Sequence, residues 1–238
     1  SDAARRKFAR SCINRYIRGN YPGIDRAAPR VFDGIDLDWE VPQGEVARHN
    51  FTLLAREFRR QLGAIDRRLL LTAAIGVDRG QTRHFELLTV SKELNWVNLM
   101  GYQLGGAWSP VTQFQAPLLK SPNVPEGSPT AAQGVAMFLH RGVPKRKLVL
   151  GLPFFGKAYA NVSPGTTAGI GRPFSGMLAG TTGGNMHYHD ILDRFGGLPV
   201  HHDTRAAQAW IYDPVGRTTV VFDDPDSVSR KMAFVRRL

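Results

Sequence analysis

The sequence predicts an α/β fold in which strands and helices alternate, as in a (β/α) barrel or a doubly wound sheet. The first support is a set of almost wholly apolar runs, which is typical of strands buried in a parallel sheet. These runs are 31–37, 69–75, 96–102 and 147–152. The second support is the helical periodicity and the helix-start signals between them. We therefore expect a parallel sheet with helices packed on one face.

The helices are predicted from their caps and from their apolar spacing. They span 3–18, 50–63, 83–94, 128–142 and a last segment that opens at Asp224-Pro225. In the first helix Phe8, Cys12 and Tyr16 recur every four residues, and a second apolar row of Ala9, Ile13 and Ile17 runs beside them. We therefore interpret the only cysteine as a core residue. A single cysteine excludes an intramolecular disulfide. Asn50 is the predicted N-cap of the second helix.

Between about 158 and 223 the alternation stops and a different structure is predicted. Two strand-like runs, 207–212 and 218–222, flank a turn with the sequence Asp-Pro-Val-Gly. Such an arrangement is typical of antiparallel strands. The helix that follows is predicted to carry the apolar residues Val228, Met232 and Val235.

The formal net charge is +11, with 31 Lys and Arg against 20 Asp and Glu. Such a charge is compatible with a nucleic-acid partner. The basic residues are dispersed in short runs, however, and no recognised nucleic-acid motif accompanies them. We interpret them as solvated helix faces, with adhesion to an acidic matrix as the alternative. No apolar run approaches the roughly 20 residues that span a bilayer, so no membrane partner is predicted.

The strand within 31–40 carries a row of carboxylates. Because strand side chains alternate between faces, Asp36, Asp38 and Glu40 point one way and the apolar residues between them point the other way. Carboxylates on one face of a buried strand repel one another and lose hydration, which favours a shared proton and a raised pKa. A carboxylic acid that stays protonated near neutral pH can act as a general acid. Glu40 has the longest reach and ends the strand, whereas Asp33 is out of phase and is expected to hold structure.

Two other interpretations of this strand stay open. It is a solvated edge strand with unrelated acids, or its carboxylates bind a divalent metal such as magnesium or calcium. The apolar residues of the strand argue against an exposed edge. Further metal ligands could come from His187, His189 and Asp190, which are better explained as surface residues of the antiparallel segment.

Four motifs together resemble the chitinases of glycoside hydrolase family 18. Asp33–Glu40 matches the signature D-x-x-D-x-D-x-E at every required position. Met100–Gln103 resembles the Met-x-Tyr-Asp motif, Gly151–Lys157 resembles G-L-P-F-Y-G-R, and Phe222–Pro225 resembles Y-D-D-P. The resemblance covers nearly the whole chain from Phe8 onward.

The resemblance implies a (β/α)8 TIM barrel of the family-18 type with a small antiparallel α+β insertion, as in bacterial members. Only about four barrel strands can be counted, and a closed barrel needs about 250 residues. We therefore expect the chain to be truncated at both ends relative to a complete enzyme, which would be a monomer. The implied domains are a partial catalytic barrel at 1–157, the insertion at 158–223 and a return to a barrel helix at 224–238.

The resemblance also implies a substrate-assisted mechanism. Glu40 would protonate the glycosidic oxygen while the N-acetyl carbonyl of the sugar attacks the anomeric carbon. Asp38 would hold the acetamido N–H, and Asp36 would tune Asp38. The hydroxyl of Tyr102 would orient the acetamido group.

Further positions are implied to contact the substrate. They are Val41, Met100, Gly101, Gln103 and Trp108. Met100 would line the floor of a sugar subsite, and Trp108 would stack on a sugar ring. The chain departs from the family pattern at Gln103, where Asp is usual, and at Val41, where Tyr is common. It also departs at Phe155 and Lys157, which replace Tyr and Arg.

The implied activity is hydrolysis of the β-1,4 linkages between N-acetylglucosamine units of chitin, outside the cell and without a cofactor or metal. The alternative is a catalytically inactive chitin-binding lectin on the same fold. Such lectins commonly lack the acid, so the presence of Glu40 favours the enzyme. A basic nucleic-acid-binding domain is the third hypothesis.

Overall fold

The computed structural model describes residues 1–29 and 31–238. These residues form two compact units. The first unit contains Ser1–Leu99 and Met137–Val149, and the second contains Met100–Ala136 and Leu150–Leu238. The domain boundaries expected near 157 and 223 remain a prediction.

Helices and strands alternate in the early part of the chain, and strands dominate its later part. The helices are α1 (Asp2–Tyr16), α2 (Glu45–Gly63), α3 (Arg79–Thr82), α4 (Leu87–Glu93), α5 (Ala131–His140), α6 (Tyr188–Phe195) and α7 (Pro225–Arg237). The strands are β1 (Gly34–Leu37), β2 (Leu70–Gly76), β3 (Trp96–Met100), β4 (Leu148–Leu150), β5 (Phe155–Tyr159), β6 (Asn185–His187), β7 (Val200–Asp203), β8 (Gln208–Asp213) and β9 (Thr218–Phe222). No helix in the described residues is long and apolar enough to cross a membrane.

The parallel sheet expected from the four apolar runs is confirmed. Its strands lie in the order β1-β2-β3-β4. Strand β1 pairs in parallel with β2, and Asp36 lies opposite Thr72 in the register. The first strand is shorter than predicted, because pairing begins at Gly34 and leaves Val31 and Phe32 exposed. The last two strands of this sheet also end earlier than predicted.

Helix α2 packs its apolar stripe into the core of the first unit. The buried residues of this stripe are Phe51, Thr52, Ala55, Phe58 and Leu62. The helix begins at Glu45, so the predicted N-cap at Asn50 is wrong. Asn50 lies inside the helix, where its Oδ1 accepts a hydrogen bond from Nη1 of Arg5 at 3.0 Å.

The inner face of α1 is narrower than predicted, because only one of its two apolar rows is buried. The buried residues are Ala9, Ile13 and Ile17. Phe8 and Tyr16 are exposed, and Cys12 is only half-buried, so the assignment of Cys12 to the core is corrected. Both sets of residues recur every four positions, and periodicity alone therefore could not choose between these neighbouring faces.

Phe8, Cys12 and Tyr16 instead line an apolar groove of about 750 Å³ in the first unit. Trp39 and Glu40 line the same groove. The groove therefore joins an apolar surface to the predicted general acid.

We expect the 238-residue chain to bind a hydrophobic dye such as ANS, because the groove leaves contiguous apolar side chains in water. Phe8→Ser and Tyr16→Ser should each lower the dye fluorescence while circular dichroism shows that the fold is kept. Val215→Ser is the control, since Val215 is 93% exposed but does not line the groove. Equal dye binding by the wild type and both groove variants would contradict this expectation.

The helix predicted at 83–94 is shorter and corresponds to α4, and a separate short helix, α3, precedes the predicted range. The side chain of Asp78 caps α3. At the end of α4, Nζ of Lys147 donates hydrogen bonds to the carbonyls of Ser91 and Leu94, both at 2.6 Å. Burial lowers the pKa of Lys147. Lys147 is therefore a capping residue for α4, not part of a solvated basic face.

The antiparallel structure predicted after the barrel strands is confirmed and is larger than expected. Its strands lie in the order β6-β5-β9-β8-β7, and β8 and β9 coincide closely with the predicted runs. The sheet already begins with β5 at Phe155. Its core includes Tyr159, Ile191, Ile211 and Phe222, all buried.

The inner face of helix α7 carries a buried charged side chain, that of Lys231. Nζ of Lys231 lies 2.6 Å from both carboxylate oxygens of Asp223, and the two side chains are 2% and 0% exposed. The side-chain amide of Gln208 also donates to Asp223. Of the three apolar residues predicted on this helix, Val228 is half-buried, whereas Met232 and Val235 are exposed. The ion pair occupies the inner face of the helix instead.

An irregular stretch of the second unit, 101–118, is called here the fastened segment. Thr112 Oγ1 donates to a carbonyl of a glycine-rich loop at 2.6 Å, and Gln115 Nε2 donates to a carbonyl of β5 at 2.5 Å. Oε1 of Gln208, on β8, accepts from the Ala116 N–H at 3.0 Å. Buried polar side chains therefore provide the hydrogen bonds to backbone groups that neighbouring strands provide in a sheet.

Candidate active site

The predicted acidic row begins in β1, in the first unit. Asp36 lies in the strand, and Asp38 and Glu40 follow it along the chain. All three side chains are exposed and line the groove, so the expectation that they lie on a buried face is wrong. Solvent in the groove hydrates these carboxylates and screens their mutual repulsion. Trp39 packs against Phe51 of α2, with ring centroids 6.4 Å apart.

Two neighbouring strands hold Asp36 by hydrogen bonds. The hydroxyl of Thr72, on β2, donates to Oδ1 of Asp36. Nδ2 of Asn98, on β3, donates to the same oxygen at 3.0 Å, and Oδ1 of Asn98 accepts from Nε1 of Trp96 at 2.9 Å. These two donors fix the position of the Asp36 carboxylate.

Sequence reasoning did not single out Thr72 or Asn98. A signal was available, because each is a polar residue inside an otherwise apolar strand. In a parallel sheet with neighbouring strands, such residues can face the same side as Asp36. The register that pairs Thr72 with Asp36 was not readable from the sequence.

Val41 follows the predicted acid directly and is half-buried. The peptide bond between Glu40 and Val41 is cis. A role for Val41 in substrate contact remains a prediction.

The second group of predicted site residues lies in the second unit. Met100 ends β3, and both Met100 and Tyr102 are half-buried. A Cβ at Gly101 would lie 2.9 Å from Leu150 Cδ1, so a larger residue there would have to displace the end of the Leu150 side chain. Gln103 is exposed and adopts a positive φ of 55°.

Trp108 lies on a short turn and is 65% exposed. The turn is closed by a hydrogen bond from the N–H of Ser109 to the carbonyl of Gly106 at 2.9 Å. Oγ of Ser109 in turn accepts from the Gly106 N–H at 3.1 Å. An exposed indole on a firm turn has the geometry of a stacking surface for a planar or apolar ligand face.

The alternative of a metal site finds no support in residues 1–29 and 31–238. No group of three or more His, Cys, Asp or Glu side chains in these residues could hold a metal ion. His189 lies on the surface, where Nδ1 is 3.2 Å from Asp193 and 3.6 Å from Asp190. His187 and Asp190 are exposed as well, so the three residues considered from the sequence are surface residues where β6 meets α6.

The family of the chain follows from comparison with known proteins. The sequence matches Glycosyl hydrolases family 18 over residues 1–238. The chain belongs to this family. The resemblance predicted from the four motifs is therefore confirmed.

Two curated relatives of this family-18 chain illustrate the match. Chitinase A1 of Niallia circulans is 31% identical over 229 residues, which are 86% of the chain and 33% of the relative. The class V chitinase CHIT5b of Medicago truncatula is 33% identical over 227 residues, which are 90% of the chain and 58% of the relative. The chain thus spans between a third and three-fifths of the length of these two relatives.

Solved structures support the fold of the family-18 chain. The catalytic domain of chitinase B from Arthrobacter TAD20 has a TM-score of 0.87 and 28% identity, covering 100% of this chain and 59% of that one. The chitinase of Cycas revoluta in complex with (GlcNAc)3 has a TM-score of 0.81 and 27% identity, covering 100% of this chain and 66% of that one. The predicted TIM-barrel class is confirmed, with the parallel sheet and the antiparallel sheet as its parts in this chain.

Proposed function

We propose that the chain hydrolyses the β-1,4 linkages of chitin and of N-acetylglucosamine oligomers, with Glu40 as the general acid. The observation that carries this proposal is the complete acidic signature on the exposed end of β1, with its first member held by two hydrogen-bond donors. The chitinase activity named for the relatives supports the same reaction class.

The proposed first step forms a bond within the substrate. Glu40 gives its proton to the glycosidic oxygen as the bond to the anomeric carbon breaks. The acetamido carbonyl oxygen attacks the anomeric carbon from the other face, which yields an oxazolinium ion. Asp38 accepts the hydrogen bond of the acetamido N–H and offsets the developing positive charge. Asp36, anchored on its own strand, keeps Asp38 oriented.

The proposed second step restores the enzyme. A water molecule attacks the anomeric carbon of the oxazolinium ion and opens its ring. The carboxylate of Glu40 takes the proton from this water, so the acid returns to its starting state. Because the substrate supplies its own nucleophile, no second opposed carboxylate is needed.

Sugar contacts are proposed for the remaining predicted residues. The hydroxyl of Tyr102 would orient the acetamido group, and Trp108 would stack on a sugar ring. The other proposed contacts are Val41, Met100, Gly101 and Gln103. Because a polymer such as chitin is met outside the cell, we also propose that the protein acts extracellularly.

Substrate assistance makes a stereochemical prediction. Two inversions at the anomeric carbon give retention, so the first product seen by NMR should be the β-anomer. Fully deacetylated chitosan oligomers lack the internal nucleophile and should resist cleavage. Inversion, or equal rates on acetylated and deacetylated oligomers, would contradict the mechanism. Binding of the acetylated oligomers without any cleavage would instead indicate the lectin.

A further inference from the structure

One face of β5 supports the fastened segment. Side chains alternate along a strand, so Phe155, Lys157 and Tyr159 share a face. The ring of Phe155 packs edge-on against Tyr102, with centroids 6.1 Å apart and planes at 83°. The hydroxyl of Tyr159 donates to the carbonyl of Gln113 at 2.9 Å. The flanking residues of this face therefore contact the segment at two points.

Lys157, between them, is a buried cation. The residue is 4% exposed, and its Nζ donates to the carbonyl of Gly183 at 3.2 Å. None of the ion pairs among residues 1–29 and 31–238 includes Lys157. Burial lowers the pKa of its ammonium group. A buried cation without an anionic partner needs another electron-rich neighbour.

The indole of Trp108 is that neighbour. Nζ of Lys157 lies over the Trp108 ring, 6.0 Å from the centroid, within the range of a cation–π interaction. The ring also lies against the backbone of Gly106, where a Cβ would come within 2.7 Å of Cη2 of the indole. Trp108 is therefore held from inside the protein while 65% of it stays exposed.

We propose that Lys157 is a positioning residue that fixes the Trp108 indole as a stacking platform for one sugar ring of the substrate. The substrate class rests on the proposed function. An exposed tryptophan on a turn can occupy several rotamers, and ordering it on binding then has an entropic cost that weakens the affinity. The ammonium group of Lys157 restricts the ring before the ligand arrives.

The proposal can be tested on the 238-residue chain labelled with 5-fluorotryptophan. The chain has four Trp residues, and the ¹⁹F resonance of Trp108 is identified by its loss in Trp108→Phe. Lys157→Met fills a similar volume without the charge, and should shift or broaden the Trp108 resonance. The dissociation constant for N-acetylglucosamine oligomers, followed on this resonance, should rise roughly three- to tenfold.

Two further variants separate positioning from general damage to the fold. Lys157→Arg restores a cation and should recover most of the oligomer affinity and a sharp Trp108 resonance. Lys92→Met removes an exposed lysine of α4 and should change neither. Should Lys157→Met fail to fold, as judged by circular dichroism, Lys157→Gln takes its place as the neutral variant.

An unchanged Trp108 resonance and an unchanged affinity in the neutral variant would overturn the proposal. The proposal would also be overturned if the wild-type chain cleaves the oligomers but its Trp108 resonance does not change when they are added. The proposed activity would stand in that case. A Trp108 resonance that responds to the oligomers in a Lys157-dependent way, without any cleavage, would support the platform and reject the hydrolase.

Discussion

Replacing Glu40 with Gln is expected to keep the fold and to lower the rate of chitin-oligomer cleavage by roughly two to four powers of ten. Gln fills the space of Glu but has no proton to give to the glycosidic oxygen. Because Glu40 is exposed at the groove, the substitution should leave the free energy of unfolding nearly unchanged. The rate is measured on defined oligomers, in this chain and in any longer protein that contains it.

Glu45→Gln is the matched control for this experiment. Glu45 lies in the first turn of α2, is exposed and forms an ion pair with Arg48 at 3.2 Å. The same chemical change there should leave the rate within a factor of about two, since an exposed ion pair contributes little. If Glu40→Gln keeps more than about a tenth of the activity, Glu40 is not the general acid.

The largest expected effect on stability comes from Lys231. Lys231→Met leaves Asp223 buried without its cation, which should lower the free energy of unfolding by about 3–5 kcal/mol. Burial raises the pKa of Asp223 and lowers the pKa of Lys231, so burial disfavours the charged form of each. The double variant Asp223→Leu with Lys231→Met should lose much less than the single variant, because no unpaired charge remains. Urea unfolding followed by circular dichroism measures all three chains.

An exposed ion pair on the same helix provides the comparison. Arg230 lies 2.7 Å from Asp226, with side chains 43% and 47% exposed. Arg230→Met should lower the free energy of unfolding far less than Lys231→Met does, because water screens this exposed pair. Equal losses for Arg230→Met and Lys231→Met would show that the buried pair has no special role in stability.

The sequence predicted a helix or strand well where neighbouring residues were compatible with only one local structure. The strands β8 and β9 follow from two strand-like runs on either side of a turn. The start of α7 follows from Asp224, whose side chain accepts from the Ser227 N–H at 2.8 Å, followed by Pro225. The acidic signature also identified the family without any structure. In each case a few neighbouring residues carry the information.

The inner faces of the terminal helices could not be predicted in the same way. In α1 two neighbouring rows have identical spacing, and the packing partner decides which one is buried. In α7 the buried residue is Lys231, because it forms an ion pair with Asp223, which directly follows β9. A lysine becomes a core residue only through a partner at another place in the chain, and hydropathy cannot reveal that.

Parts of the candidate site were beyond sequence reasoning for a related reason. The anchors of Asp36 are Thr72 and Asn98, and their role depends on the register between three parallel strands. The support of Trp108 by Lys157 depends on where an irregular turn meets a strand. Both are contacts between distant segments of the chain.

The fastened segment also bears on how this part of the protein can change during evolution. Surface loops usually accept insertions and deletions, because their backbone groups are satisfied by water. Here Thr112, Gln115 and Gln208 tie specific backbone groups to fixed partners. Adding or removing one residue would shift the hydrogen-bonding groups that follow it away from their fixed partners. The length of this segment is therefore as constrained as that of a central strand, although it has no regular secondary structure.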